Sequence, residues 1–212
     1  MKNYESVLLD WDGNIAKTLD IWLAAYDEVL KSHGHNVSYE EIGANFTRFT
    51  AFAAGLGISE PEGAMTEADR LASQLLPTIE LYPDALEVLE DMSSKNKSMA
   101  LITSSGRRHV EGALNKYNLS QYFQAIVTGD DVTRLKPDAE PLLTALGRLG
   151  TNKEYAVMIG DSASDLEAAN NARIDSILFY PPEHSKFYSY EELESYNPTH
   201  IVTDFRDIKQ IM

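Results

Sequence analysis

Leu8-Leu9-Asp10-Trp11-Asp12-Gly13-Asn14 sets two carboxylates two residues apart at the end of a short apolar run, with a glycine directly after them. In an extended strand residues i and i+2 point to the same side, so Asp10 and Asp12 are expected to face one pocket together. Like charges aimed side by side repel, and a fold tolerates that mainly where a cation or the reaction itself offsets the strain. The stretch therefore predicts a β-strand that delivers paired acids to metal-assisted chemistry on an anion. A surface turn is the competing reading, because Asp and Gly favour turns and D-x-D-G alone is short.

Away from this stretch, apolar runs alternate with helical patterns. Residues Ser6–Asp10, Ser98–Ile102, 125–128, 155–159, 176–179 and His200–Val202 read as strands, several apolar on successive residues as in a sheet covered on both faces. Helices are expected near Pro83, Gly106, Asp138, Ser162 and Asp204. This βαβ rhythm predicts an α/β fold with a doubly wound parallel sheet. One segment breaks the rhythm. Between residues 16 and 79 no strand pattern stands out, and Leu19, Leu23, Tyr26 and Leu30 recur at the spacing of an amphipathic helix. Ser38-Tyr39-Glu40-Glu41 reads as a capping box and residues 64–76 as a further helix. The expected organisation is a core of residues 1–15 and 80–212 with an all-helical insertion over 16–79.

Three further stretches carry chemistry. Met99-Ala100-Leu101-Ile102 runs into Thr103, Ser104 and Ser105; Leu135-Lys136-Pro137 offers a basic residue; and a second strand ends in Gly160-Asp161-Ser162-Ala163-Ser164-Asp165. In this order, and with the D-x-D-G stretch before them, they resemble the four motifs of the haloacid dehalogenase (HAD) superfamily of phosphohydrolases. The resemblance covers nearly the whole chain. It implies a Rossmann-like strand order 3-2-1-4-5-6, with the site at the switch point between the first and fourth strands, and an insertion that acts as a C1-type cap.

The resemblance also implies roles. Asp10 would be the nucleophile that forms an aspartyl-phosphate, and Asp12 the acid and base. Mg²⁺ would be held by Asp10, Asp161 and the backbone carbonyl of Asp12, with Asp165 either joining the metal shell or completing an N-terminal cap. Thr103 and Lys136 would contact the transferred phosphoryl group. Ser104, Asn14, Arg48 and Lys17 are the candidates for holding the rest of a small phosphorylated metabolite. Asn14 stands where the family usually has Thr, and Lys17 where an acidic residue is common. Arg173 replaces a small residue, and Tyr180-Pro181-Pro182-Glu183-His184 forms a loop that the chemistry leaves unexplained. Trp11 and Trp22 read as packing residues, and Arg107 and Arg108 as solvated. Two other functions compete with a phosphatase: a phosphomutase resembling β-phosphoglucomutase, whose type commonly carries Glu where this chain has Gly160, and a binding module that senses a phosphorylated metabolite without turnover.

The composition narrows the setting. Of 212 residues, 43% are hydrophobic and 24% charged, as in an ordinary globular protein, and the absence of cysteine excludes disulfides and thiol chemistry. Residues 1–6 show no signal-peptide pattern and no apolar run approaches a membrane span, so a cytoplasmic location is expected. A net charge of -15 argues against nucleic acid as a partner. An anionic substrate must then find local positive charge.

Overall fold

All five residues of β1 (Ser6–Asp10) are buried, and the strand is apolar on both faces: Val7 and Leu9 enter one core, Leu8 the other. Such a strand belongs in the middle of a sheet with helices on each side. The structure, a computed structural model that describes residues 2–212, places it there. With β2 (Ser98–Ile102), β3 (Ala125–Val127), β4 (Ala156–Gly160), β5 (Asp175–Phe179) and β6 (His200–Val202) it forms a six-stranded parallel sheet of order β3-β2-β1-β4-β5-β6. The expected α/β doubly wound architecture is confirmed, including the strand order.

Four helices fall between β1 and the next core helix: α1 (Leu19–Ser32), α2 (Tyr39–Ala44), α3 (Phe49–Gly55) and α4 (Pro61–Leu75). They enclose an apolar cluster of their own. Leu19, Trp22, Leu23, Tyr26 and Leu30 of α1 pack with Ala64, Ala68 and Ala72 of α4, and these alanines, four residues apart, let the two helices approach closely. Each large side chain buried here contributes about 1.5–3 kcal/mol. Helix α4 starts three residues earlier than the periodicity suggested because Pro61 suits a first helical position. Of the predicted capping box on α2, the Ser38 arm forms, its hydroxyl accepting the Glu41 N–H at 3.2 Å.

The remaining helices cover the sheet. α5 (Ala85–Ser94), α6 (Arg107–Lys116) and the short C-terminal α10 (Ile208–Ile211) pack on the face that holds Val7 and Leu9, while α7 (Glu140–Leu149) and α8 (Ala163–Ala172) pack on the other. α9 (Tyr190–Glu194) lies before β6. Near Asp204 the expected helix is reduced to a 3₁₀ turn followed by α10. Arg173 ends α8 in the left-handed region, at φ 58°, the conformation that a glycine usually supplies.

Strand register sets the position of the site. Leu9 lies opposite Leu101 and Ile159, and Asp10 opposite Ile102. One step on from Ile102 is Thr103, and two from Ile159 is Asp161, so both emerge beside Asp10 at the carboxyl ends of neighbouring strands. The chain leaves and re-enters the core through adjacent short bridges, Asp12 with Ala16 and Ala16 with Leu81, and the Tyr82 N–H donates to the Ile15 carbonyl at 2.9 Å.

Candidate active site

Three buried carboxylates and one buried ammonium meet where β1 and β4 end. One oxygen from each of Asp10, Asp161 and Asp165 lies within 4.8 Å of the others. Lys136 enters this group from the loop before α7, its side chain 3% exposed, and donates to Asp10 Oδ1 at 2.5 Å and Asp165 Oδ1 at 2.6 Å. Burial pushes the Asp10 carboxyl up to about 8, Asp165 adding to the shift and Lys136 opposing it. Burial, then Asp165 and Asp10, raise Asp161 well above the carboxylate range as well. Burial alone would lower Lys136, but Asp10 and Asp165 reverse the effect and hold it firmly protonated. Three carboxyls face a single ammonium in a dry setting, and the raised Asp10 and Asp161 mark the cost of ionising them there without a further cation.

The two acids of the fourth motif are differently engaged. Asp165 Oδ2 accepts the Ser162 N–H at 3.2 Å and the Ser162 hydroxyl at 2.7 Å, completing the capping box of α8, while its other oxygen serves Lys136. The capping role weighed for Asp165 is thus observed, alongside a place in the acidic cluster. Asp161 differs: both of its oxygens are buried without a hydrogen-bond partner. The turn at Gly13, with φ +75°, is confined to glycine because a Cβ there would overlap the Asp161 carboxylate.

Asp12 lies across the opening from this cluster. Its Oδ2 accepts the Ser105 hydroxyl at 2.8 Å and the Thr103 hydroxyl at 3.2 Å, and its Oδ1 accepts the Trp22 indole N–H at 3.4 Å. The Ser105 N–H in turn donates to Thr103 Oγ1 at 3.0 Å, which fixes that hydroxyl. Asp10 and Asp12 share one cavity of about 590 Å³, lined on the core side also by Ser104, Lys136 and Asp161, and on the insertion side by Trp22, Phe46, Arg48 and Asp69. Arg48 is exposed at its mouth and makes no ion pair among the described residues. Asp69 binds Arg108 of α6 and lies 3.2 Å from His109, a tie between insertion and core.

Four expectations need correcting. Asn14 does not reach the cavity: it is fully buried and its amide donates to the Ile159 carbonyl at 2.7 Å, tying the loop after β1 to β4. Lys17 does not line the cavity either, because its ammonium sits 5.4 Å over the Tyr82 ring beside the bridges. Trp22 is more than packing, since its indole holds Asp12. Thr103 does not line the cavity, because it is buried with its hydroxyl turned to Asp12; Arg108 is solvated as expected, its side chain 71% exposed, while also pairing with Asp69. Ser105 and Trp22 were the site residues that motif reading missed. Ser105 belongs to the Thr103-Ser104-Ser105 stretch, whose spacing does not say which hydroxyl meets Asp12; the amphipathic pattern of α1 marks Trp22 as buried but not as adjacent to Asp12.

The class that this fold and site define is an α/β enzyme with an acidic, lysine-containing centre at a switch point. Residues 7–179 match the profile of the haloacid dehalogenase-like hydrolase family. The chain belongs to that family and is an enzyme of the HAD superfamily, a hydrolase. It is 26% identical over 215 residues to pyrophosphatase PpaX of Oceanobacillus iheyensis, with 98% of this chain and 96% of the relative covered. Over 193 residues it is 31% identical to the phosphorylated carbohydrates phosphatase of Thermotoga maritima, covering 82% of this chain and 83% of that one. In fold it is similar to a Lactobacillus plantarum protein described as a candidate phosphoglycolate phosphatase, with a TM-score of 0.86, 24% identity, and 99% and 100% of the two chains covered.

Proposed function

We propose that the protein is a Mg²⁺-dependent phosphatase that hydrolyses a small phosphorylated metabolite through an aspartyl-phosphate on Asp10. The observation that carries this reading is the placement of Asp10, a buried carboxylate bonded to Lys136 at 2.5 Å, in one cavity with Asp12. A phosphate ester entering it would meet a carboxylate nucleophile and a buried ammonium able to neutralise an equatorial oxygen. Asp10 attacks phosphorus as the ester oxygen departs, and Asp12 gives that oxygen its proton. Asp12 then takes a proton from water, whose oxygen attacks phosphorus and releases the Asp10 carboxylate with inorganic phosphate. Ser105, Thr103 and Trp22 hold Asp12 in place between the two steps, and Ser104, which lines the cavity just after β2, is placed to contact phosphoryl oxygens.

The donor set fits a hard divalent cation. Asp161 offers two buried oxygens without partners beside Asp10, and buried carboxylates in excess of ammonium call for positive charge. Asp10 and Asp161, with the Asp12 carbonyl that the resemblance adds, would hold Mg²⁺; Asp165 is already committed to Lys136 and Ser162. Bound there, the ion neutralises charge on the nucleophile and the phosphoryl group.

Residues 16–79 are read as a cap whose side chains, Arg48 foremost, select the leaving group. Hydrolysis is favoured over phosphoryl transfer between sugar hydroxyls because a Cβ at Gly160 would overlap the Asp165 side chain, which leaves no room for the glutamate of the mutase pattern. The net charge of -15 supports a metabolite rather than nucleic acid as the partner; among the described residues no helix is long and apolar enough to cross a membrane. Phosphate release from a panel of sugar phosphates, phosphoglycolate and pyrophosphate, with Mg²⁺ and then with excess chelator, tests the reading. Turnover that stops with chelator and returns with Mg²⁺ is expected; binding without release, or full activity in chelator, would overturn it.

A further inference from the structure

The loop 180–188 brings to the acidic cluster a histidine that the mechanism above does not use. His184 is fully buried, held in a 3₁₀ turn by its own N–H to the Pro181 carbonyl at 2.9 Å. Four aromatic rings, Tyr82, Phe179, Tyr180 and Tyr188, stand edge-on around its imidazole at centroid distances of 5.6, 5.7, 6.2 and 5.9 Å. Such a cage fixes the ring plane. Within it Nε2 lies 2.6 Å from the Tyr82 hydroxyl, and Nδ1, buried and without a hydrogen-bond partner, faces Asp161 Oδ2 at 3.8 Å.

These contacts determine which nitrogen carries the proton. A lone pair on Nδ1 would point at a carboxylate, whereas an N–H there is attracted to it. Tyr82 then donates to Nε2. Burial raises the Tyr82 hydroxyl well above its ordinary value, Asp161 adding to the shift, which keeps the phenol protonated as that arrangement requires.

We propose that His184 is a positioning residue for Asp161: its Nδ1–H, with the tautomer set by Tyr82, orients the carboxylate that holds the divalent cation. The proposal rests on the cation site described above. Nδ1 and the Asp161 carboxylate, both buried and 3.8 Å apart, are one small side-chain rotation from a hydrogen bond, on a carboxylate that the Tyr188 hydroxyl also faces. Outer partners of this kind orient metal-binding side chains, and their loss typically weakens metal affinity 10–100-fold. The geometry also gives a use to Tyr82, which sits where the chain returns from the helical insertion, and to the otherwise unexplained Pro181-Pro182 turn that carries His184.

Asparagine and glutamine separate the two ring nitrogens. The amide of His184→Asn can take the place of Nδ1–H, whereas that of His184→Gln takes the place of Nε2. Mn²⁺ binding to each folded protein, followed by electron paramagnetic resonance of the free ion, is the direct readout. The expectation is that His184→Gln weakens Mn²⁺ binding by about 10–100-fold, that His184→Asn stays within a few-fold of wild type, and that KM for p-nitrophenyl phosphate at saturating Mg²⁺ is little changed in either. Tyr82→Phe, which keeps the ring and removes only the hydroxyl, should weaken Mn²⁺ several-fold. Equal affinity in the Asn and Gln variants, or wild-type affinity in Tyr82→Phe, would overturn the positioning role alone. Failure of the wild-type protein to bind Mn²⁺ would overturn the cation site and this role together.

Discussion

Replacing Lys136 by methionine removes the ammonium but keeps most of the stem's volume, so the perturbation is electrostatic. In the folded protein Nζ lies 2.5 Å from Asp10 and 2.6 Å from Asp165, with the lysine side chain 3% exposed and that of Asp165 fully buried. Deleting one partner of a buried ionic cluster costs about 3–5 kcal/mol, because the remaining charge is neither solvated nor paired. The variant can relieve this by protonating a carboxylate. Asp10 is already pushed up to about 8 with Lys136 holding it down, so without the ammonium it rises further. A carboxyl whose folded pKa exceeds its unfolded value near 4 destabilises most above the folded pKa, and the penalty fades as pH falls towards 4. The stability difference between wild type and Lys136→Met should therefore be level below about pH 7 and grow from pH 8 upwards, by about 1.4 kcal/mol per pH unit for each extra proton that the variant holds, so that it is larger at pH 9.5 than at pH 7. Urea unfolding at both pH values, in chelator, measures it. A difference of the same size at pH 7 and pH 9.5 would show that lost packing, not unpaired charge, is responsible, and would refute the reasoning.

Asp10→Asn keeps the shape of the side chain but not its nucleophilicity, so kcat should fall by about 10⁴-fold or more, while urea unfolding at pH 8 shows a fold at least as stable as wild type because one buried negative charge is gone. Arg48→Ala should change the ratio of kcat/KM for two dissimilar phosphate esters several-fold, whereas Lys136→Met lowers both and leaves the ratio in place, since Lys136 meets the phosphoryl group common to every ester. Arg173→Gly relieves a left-handed residue at the end of α8 and should raise stability by about 1 kcal/mol in the same unfolding assay, with kcat unchanged.

The sheet was legible in sequence because its strands are apolar on successive residues, and the central acids were legible because each ends such a strand. Asp10, Thr103 and Asp161 are placed by register, and register follows from the pattern of strands; Lys136 was legible by its motif alone, since a loop carries it to the site. Residues whose position depends on how a loop turns were not legible. Asn14 looked like a ligand-facing polar residue, yet the turn at Gly13 sends it under β4 to satisfy the Ile159 carbonyl. Lys17 looked like a cation at the cleft and instead lies over Tyr82. Trp22 has the spacing of a core residue, which it is, but its one polar atom reaches Asp12 because α1 crosses the mouth of the cavity. His184 stands in a loop 23 residues after Asp161, and only the folded chain brings the two to 3.8 Å.

The central claim is the covalent step at Asp10, and Asp12→Asn isolates it. p-Nitrophenyl phosphate has a leaving group that departs without a proton, so the variant should still form the aspartyl-phosphate but lack the base that activates water. Rapid mixing should then give a burst of one nitrophenolate per enzyme molecule followed by slow turnover, and borohydride reduction of the quenched protein should convert residue 10 to homoserine, read by mass spectrometry of the peptide. No burst together with an unmodified residue 10, or homoserine at another acid, would contradict the account.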